Sequence, residues 1–207
     1  WKHSLGTNTK RRIQRERREA TRQRILEAAL KTLVERGYAG TSTWAICATG
    51  GFSKGTLLYH FKQRHQIFEA LMAELTTQSL NSLETSMEAA DPRDRSSAFL
   101  DWLWSTLEGD FFVLGLEILT ASRSDPELYQ SVRTGADQLI SLIDSVIDKA
   151  VEGLSESDAR RMATVLQGSV HLVRGVGLDL AIGGNVNFHR KRFEEWRDTL
   201  LSSFEPE

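Results

Sequence analysis

Along most of this chain apolar residues recur at intervals of three and four, the period of a helix with one buried face. Leu26, Ala29, Leu30 and Leu33 predict an amphipathic first helix, ended by Gly37 as a residue free to adopt a left-handed cap. A short second helix is predicted over Thr43 to Thr49. Ser42 or Thr41 would cap it, since a side-chain oxygen there accepts a free first-turn N–H, and Gly50-Gly51 breaks it. Ser53 is placed to cap a third helix over Lys54 to His60. After the polar patch Lys62-Gln63-Arg64, a longer fourth helix gathers Ile67, Phe68, Leu71, Met72 and Leu75 on one face. Asp91-Pro92 marks a break. Five more helices are predicted over Arg93–Leu107, Gly109–Ala121, Glu127–Val151, Ser157–Ile182 and Asn187–Phe204. Pro126 suits a first helical turn, Ser155 three residues before Asp158 has the spacing of a capped start, and Gly183-Gly184 ends the penultimate helix. Strand alternation and internal repeats are absent from the sequence, so the pattern predicts an all-α fold of about nine helices.

Composition narrows the class. Hydrophobic residues make up 40% and charged residues 26% of the 207, ordinary for a globular chain able to bury a core. No apolar run approaches the ~20 residues that span a membrane, and the N-terminus carries no apolar stretch with a cleavage site. A single cysteine, Cys47, read as a small buried residue, leaves no internal disulfide. These features together predict a cytoplasmic location. The net charge of −2 conceals an asymmetry. Residues 1–65 hold 14 Lys/Arg against 4 Asp/Glu, net +10, and residues 66–207 hold 12 against 24, net −12. A basic first third on an acidic body predicts a polyanion at one end.

The predicted third helix gives that charge a geometry. Leu57 and Phe61, four apart, face inward; Gly55, Thr56 and Tyr59 fall on the opposite side, with His60 at the edge. The outward face is small, polar or aromatic and has no acidic residue. A short helix braced by another across a glycine turn fits the major groove of duplex DNA. Gly55 lets the backbone approach closely, and Thr56 and Tyr59 offer hydroxyls.

These residues resemble the tetracycline-repressor (TetR) family. Arg24-Ile25-Leu26-Glu27-Ala28-Ala29 opens like that family's first helix, and Gly37-Tyr38-Ala39-Gly40-Thr41-Ser42 is similar to its turn into the second. The strongest match is Gly51-Phe52-Ser53-Lys54-Gly55-Thr56-Leu57-Leu58-Tyr59-His60-Phe61, followed by Arg64 where the family usually has Lys. The match runs in register over residues 22–75; the last two thirds agree only in helix number and length. The resemblance implies a basic arm (1–19), a three-helix DNA-binding domain (20–79) and a larger helical effector-binding and dimerisation domain (80–207). It implies that Ser42, Thr43 and Trp44 lie near bases and phosphates. Lys54, Gly55, Thr56 and Tyr59, with Ser53 beside them, would face the groove, and His60, Lys62 and Arg64 would anchor phosphates. Two departures stand out. Leu58 occupies a position where the family often has Tyr, and Trp44, where some members read a base with a polar side chain, either packs against Tyr38 or the first helix or meets DNA.

Lys10, Arg11, Arg12, Arg15, Arg17, Arg18, Arg22 and Arg24 precede the best-matched stretch, and are expected along phosphates or in the adjacent minor groove, as basic arms are. One reading head covers few base pairs, so a palindromic operator calls for a homodimer. The resemblance implies that the last two helices form its interface, through Val165, Leu172, Val176, Phe193, Trp196 and Leu200. It also implies a small-molecule pocket in the body, for which Trp102, Trp104, Phe111 and Phe112 are candidate walls. His171 and Arg174, three apart on one helix, are candidate partners for an acidic group. Gly168, Gly175 and Gly177 interrupt the same helix, which predicts close packing or room for a ligand. The expected partners are therefore duplex DNA, a small-molecule effector and a second copy, without membrane, metal or cofactor.

Two other classes are weighed against this one. Nothing marks an enzyme: nucleophile-elbow, zinc-protease, phosphate-loop and dinucleotide signatures are all missing, and His3, His60, His65, His171 and His189 show no repeated ligand spacing. A helical protein-interaction module without DNA binding shares the fold, but explains neither the acid-free third helix nor the +10 balance.

Overall fold

The structure, a computed structural model, describes residues 3–91 and 94–204. Among them lie nine helices and no strand: α1 (His3–Gly40), α2 (Thr43–Gly50), α3 (Lys54–His60), α4 (Arg64–Ala89), α5 (Arg95–Ser105), α6 (Asp110–Ser122), α7 (Pro126–Ala150), α8 (Glu156–Ala181) and α9 (Val186–Ser202). Pro92 and Arg93, the expected break and helix start, lie outside the described residues, as do Trp1 and Lys2 of the expected arm. α1 starts far earlier than its apolar stripe: helical backbone begins at His3, within the segment expected as a basic arm. Gly37 interrupts it with φ 66° and ψ 175°, a positive φ that glycine adopts without penalty.

The chain forms two compact units. One comprises Trp1–Leu71 and Glu117–Ser131, the other Met72–Leu116 and Val132–Glu207. Nothing in the composition of 117–131 announces that this stretch returns to the first unit.

In the first unit the apolar faces of α1 to α4 meet. Ile25, Leu26, Leu33, Ile46, Leu57, Ile67 and Phe68 are all essentially inaccessible. Thr32 is fully buried; its hydroxyl donates to Ala28 O and meets Thr49 Oγ1 at 3.0 Å, tying α1 to α2. The corner between these helices is held by side chains distant in sequence. The Tyr38 N–H donates to Glu117 Oε2 at 2.7 Å, and the Tyr38 hydroxyl meets Asp125 Oδ2 at 3.2 Å. Burial raises the pKa of that phenol. The Leu128 N–H, then the Tyr38 hydroxyl, hold the Asp125 carboxyl below its ordinary value.

Arg64 overturns one expectation. Instead of standing out toward a phosphate, its guanidinium donates to the carbonyls of Thr41 (2.9 Å) and Tyr38. It also lies over the Tyr38 ring, 4.0 Å from the centroid, and 5.3 Å from that of Phe68. The two carbonyls of the chain reversal, of which that of Tyr38 also accepts the Thr41 N–H, and two aromatic faces attract a planar cation more strongly than open solvent does.

The second unit is built on α5, whose Phe99, Leu100, Trp102, Leu103 and Trp104 pack with Leu83 and Met87 of α4, Ile143, Val146 and Ile147 of α7, Met162, Leu166 and Val173 of α8, and Phe193 of α9. Both buried indoles find acceptors: Trp102 Nε1 donates to Ser79 O at 2.9 Å and Trp104 Nε1 to Glu108 Oε1 at 3.1 Å. Arg197 pairs with Asp101, and Arg190 with Glu108.

Arg64→Lys retains the charge but loses the planar fork and the ring stacking. We expect it to lower the unfolding free energy by about 2 kcal/mol, measured by urea denaturation, although the substitution looks conservative.

Candidate nucleic-acid interface and apolar cavity

Two serines set the geometry of α2 and α3. Ser42 Oγ accepts the Ala45 N–H at 3.1 Å, and Ser53 Oγ accepts the Thr56 N–H at 3.0 Å, each from an extended residue just before its helix. Gly51 closes α2 at φ 64°, ψ 35°. Leu57 (1% exposed) and Phe61 (5%) anchor α3 inward, as its pattern predicts. Lys54 and Gly55 are exposed, Thr56 and His60 half-buried, and Tyr59 is 63% exposed. Trp44 is 75% exposed, which does not fit the packed reading against Tyr38 or α1. Ser42, Ser53 and Lys62 are also exposed and Thr43 is half-buried, so every expected contact residue except Arg64 reaches this surface. Gly55 is not required by the fold, because a Cβ there meets only Ser53 Oγ, at an ordinary 3.6 Å.

The basic stretch of α1 joins this face. The Arg18 guanidinium lies 5.7 Å from the Tyr59 ring centroid and that of Arg22 5.5 Å from Phe61. Arg11, Arg15, Arg18 and Arg22 follow one another at intervals of four, three and four, which aligns them along one side of a helix. That interval was the signal in the sequence linking these arginines to α3. His60 responds to them: burial first, then Arg18 and Arg22, lower its pKa from the ordinary 6.5. Arg24, expected along phosphates with the other arginines, instead donates to Gly50 O at 3.2 Å and closes the end of α2. Cys47 is half-buried, and burial pushes its thiol pKa up.

In the second unit a cavity of about 70 Å³ lies among α4 to α8. Trp102, Phe111, Phe112 and Arg174 line it, four of the six expected residues. Trp104 does not; it borders a separate polar cleft with Asp101, Glu108, Arg190 and Arg197. His171 is exposed on α8 and borders neither space. Residues two apart on a helix point to different sides, which separates Trp102 from Trp104.

Residues 25–71, spanning the end of α1 through the start of α4, match the family model for bacterial regulatory proteins of the tetR family. Over that segment the chain is similar to TetR-family regulators. It is 27% identical over 203 residues to the HTH-type transcriptional regulator CymR of Pseudomonas putida, covering 93% of each chain. An uncharacterised HTH-type transcriptional regulator of Mycobacterium bovis is 32% identical over 124 residues, 59% of this chain; the match spans 63% of that relative's length. Among solved structures, a putative transcriptional regulator of Saccharomonospora viridis in complex with choline superposes with a TM-score of 0.68 at 23% identity, covering 87% of this chain and 96% of that one. That likeness establishes the fold. TetR proteins are regulators rather than enzymes, and no helix among the described residues is long and apolar enough to cross a membrane.

The positions of the expected dimer residues are informative. Phe193 is 4% exposed and packs against Trp104 (5.1 Å) and Trp196 (5.6 Å) inside its own unit. Val176, Trp196 and Leu200 are partly buried on the same core, and Val165 is half-buried. Leu172 alone of the six stands 45% exposed. The apolar stripe read from α8 and α9 mostly serves the unit's own core, because periodicity identifies a face without identifying what covers it. The outward side of α8 instead presents Gly168, Leu172, Gly175, Leu178 and Ile182, and a Cβ at Gly168 or Gly175 would meet nothing.

The arginines beside His60 give a titration test. Arg18→Gln with Arg22→Gln should move the His60 midpoint, followed by NMR, partly back toward 6.5; burial keeps it from returning fully. The sign for stability follows from linkage: with the folded pKa lowered, the unfolded chain binds the proton more readily. His60 therefore costs stability as pH falls below about 6.5, and the double variant should reduce that loss.

Proposed function

We propose that this protein is a dimeric transcriptional repressor that reads a palindromic operator and leaves it when a small molecule binds its body. The observation that carries the reading is the outward face of α3. Lys54, Thr56 and Tyr59 project from a helix with no acidic residue, beside two serine-capped helix N-termini that favour phosphate. Residues 20–79 are the reading head, residues 1–19 the basic arm, and residues 80–207 carry effector binding and dimerisation. A second copy covers the outward stripe of α8, where Gly168 and Gly175 allow close helix approach between exposed Leu172, Leu178 and Ile182. The choline held by the Saccharomonospora protein supports a small-molecule effector for the cavity beside Phe112. An effector works by favouring one dimer geometry over another, which requires unequal affinity for the two. The reducing interior of the cell suits a chain with one cysteine.

Lys54→Ala with Tyr59→Ala removes two exposed side chains and should leave stability unchanged within about 0.5 kcal/mol. In a gel-shift assay with the promoter of its own gene, we expect the double variant to bind at least about tenfold more weakly; undiminished binding would overturn the reading. Deleting residues 1–19 tests the arm separately. The slope of log affinity against log salt should shrink by about 0.9 for each phosphate the arm neutralises, and an unchanged slope removes the arm from the interface.

A further inference from the structure

We propose that the cavity selects an amphipathic organic anion: a carboxylate on an apolar body about the size of a phenyl ring. The carboxylate binds Arg174, and the body takes the place of the Phe112 side chain over Gly177. This rests on the cavity being the effector site.

The present space is too small for such a body. At about 70 Å³ it is roughly half the ~150 Å³ of an apolar cavity that holds benzene, so a ligand with a phenyl-sized body enters only if a wall moves. Trp102 (6% exposed) is held by its bond to Ser79 O, and Leu103 (4%) and Val173 (1%) belong to the core. Phe112, in the first turn of α6, is only half-buried. Its ring lies directly on the α8 backbone at Gly177, where an added Cβ would collide with three ring carbons. Gly177 is thus a flat shelf shaped for an aromatic ring, and an incoming ring can use it in place of Phe112. A glycine inside a helix weakens it, and the shelf gives this one a purpose that Gly168 and Gly175, open to solvent, do not share.

Charge fixes the polar end. Arg174 is the one charged residue lining the cavity. It is exposed, at the rim, and among the described residues no carboxylate pairs with it. An apolar interior with an unpaired guanidinium at its mouth favours an anion, which gains a charge-assisted bond; a neutral ligand gains none and a cation is repelled. Gly177 and Arg174 are three residues apart on α8 and so lie on one side of the helix, which lets one short flexible ligand reach both.

The test is calorimetric titration of the full chain with three matched probes: 3-phenylpropanoate, 3-phenylpropanamide and 3-phenylpropylamine. The acid should bind at least about tenfold more tightly than the amide, with the amine weakest. Arg174→Gln should erase the preference for the acid over the amide, while Phe112→Ala should tighten both by vacating the shelf. Circular dichroism checks that both variants fold. An amide or amine that binds as well as the acid, a preference that survives Arg174→Gln, or no binding to wild type and Phe112→Ala alike overturns the anion. Acid binding that neither substitution changes means that the ligand sits elsewhere, and the effector-site reading falls with it.

Discussion

The first unit depends on a single cation in an unusual place. Where the chain leaves α1 and turns into α2, the carbonyls of Tyr38 and Thr41 both accept hydrogen bonds from Arg64, which also stacks on Tyr38 and Phe68. A guanidinium suits this task because its planar fork satisfies two acceptors and its faces still cover aromatic carbon. The Glu117 carboxylate serves the same corner from the other polarity, accepting the Tyr38 N–H. With the corner held by opposite charges on separate helices, the start of α2 is fixed in relation to α1 and α4, and α3 follows through the short turn at Gly51.

Much of this was legible in the chain. The bounds of α3 agree with its capping serine and apolar spacing, and α2 runs one residue past its predicted end. The inward pair Leu57 and Phe61 and the outward Tyr59 followed from a helical wheel alone. These are local properties, decided within a few residues. Several misreadings concern partners far along the chain. Arg64 meets carbonyls more than twenty positions back, and Glu117 reaches Tyr38 across 79; no local pattern encodes such separations. The same limit sent Phe193 to a dimer surface when it fills a core, whereas the grouping of Trp104 with Trp102 overlooked a local fact, that residues two apart on a helix point to different sides.

The glycines of α8 show how one residue type carries different duties on one helix. Gly177 is buried under an aromatic ring, whereas Gly168 and Gly175 face outward with empty space above them. Composition shows three weak points in a long helix; only the packing tells an internal shelf from an external surface.

The space left over Gly55 has a further consequence. Since the fold neither needs a glycine there nor uses the side chains of Lys54 and Tyr59 to hold itself together, α3 can exchange its outward residues without disturbing the core beneath. Descendants of this chain are thereby free to acquire new target preferences one substitution at a time, with foldability untouched along the way.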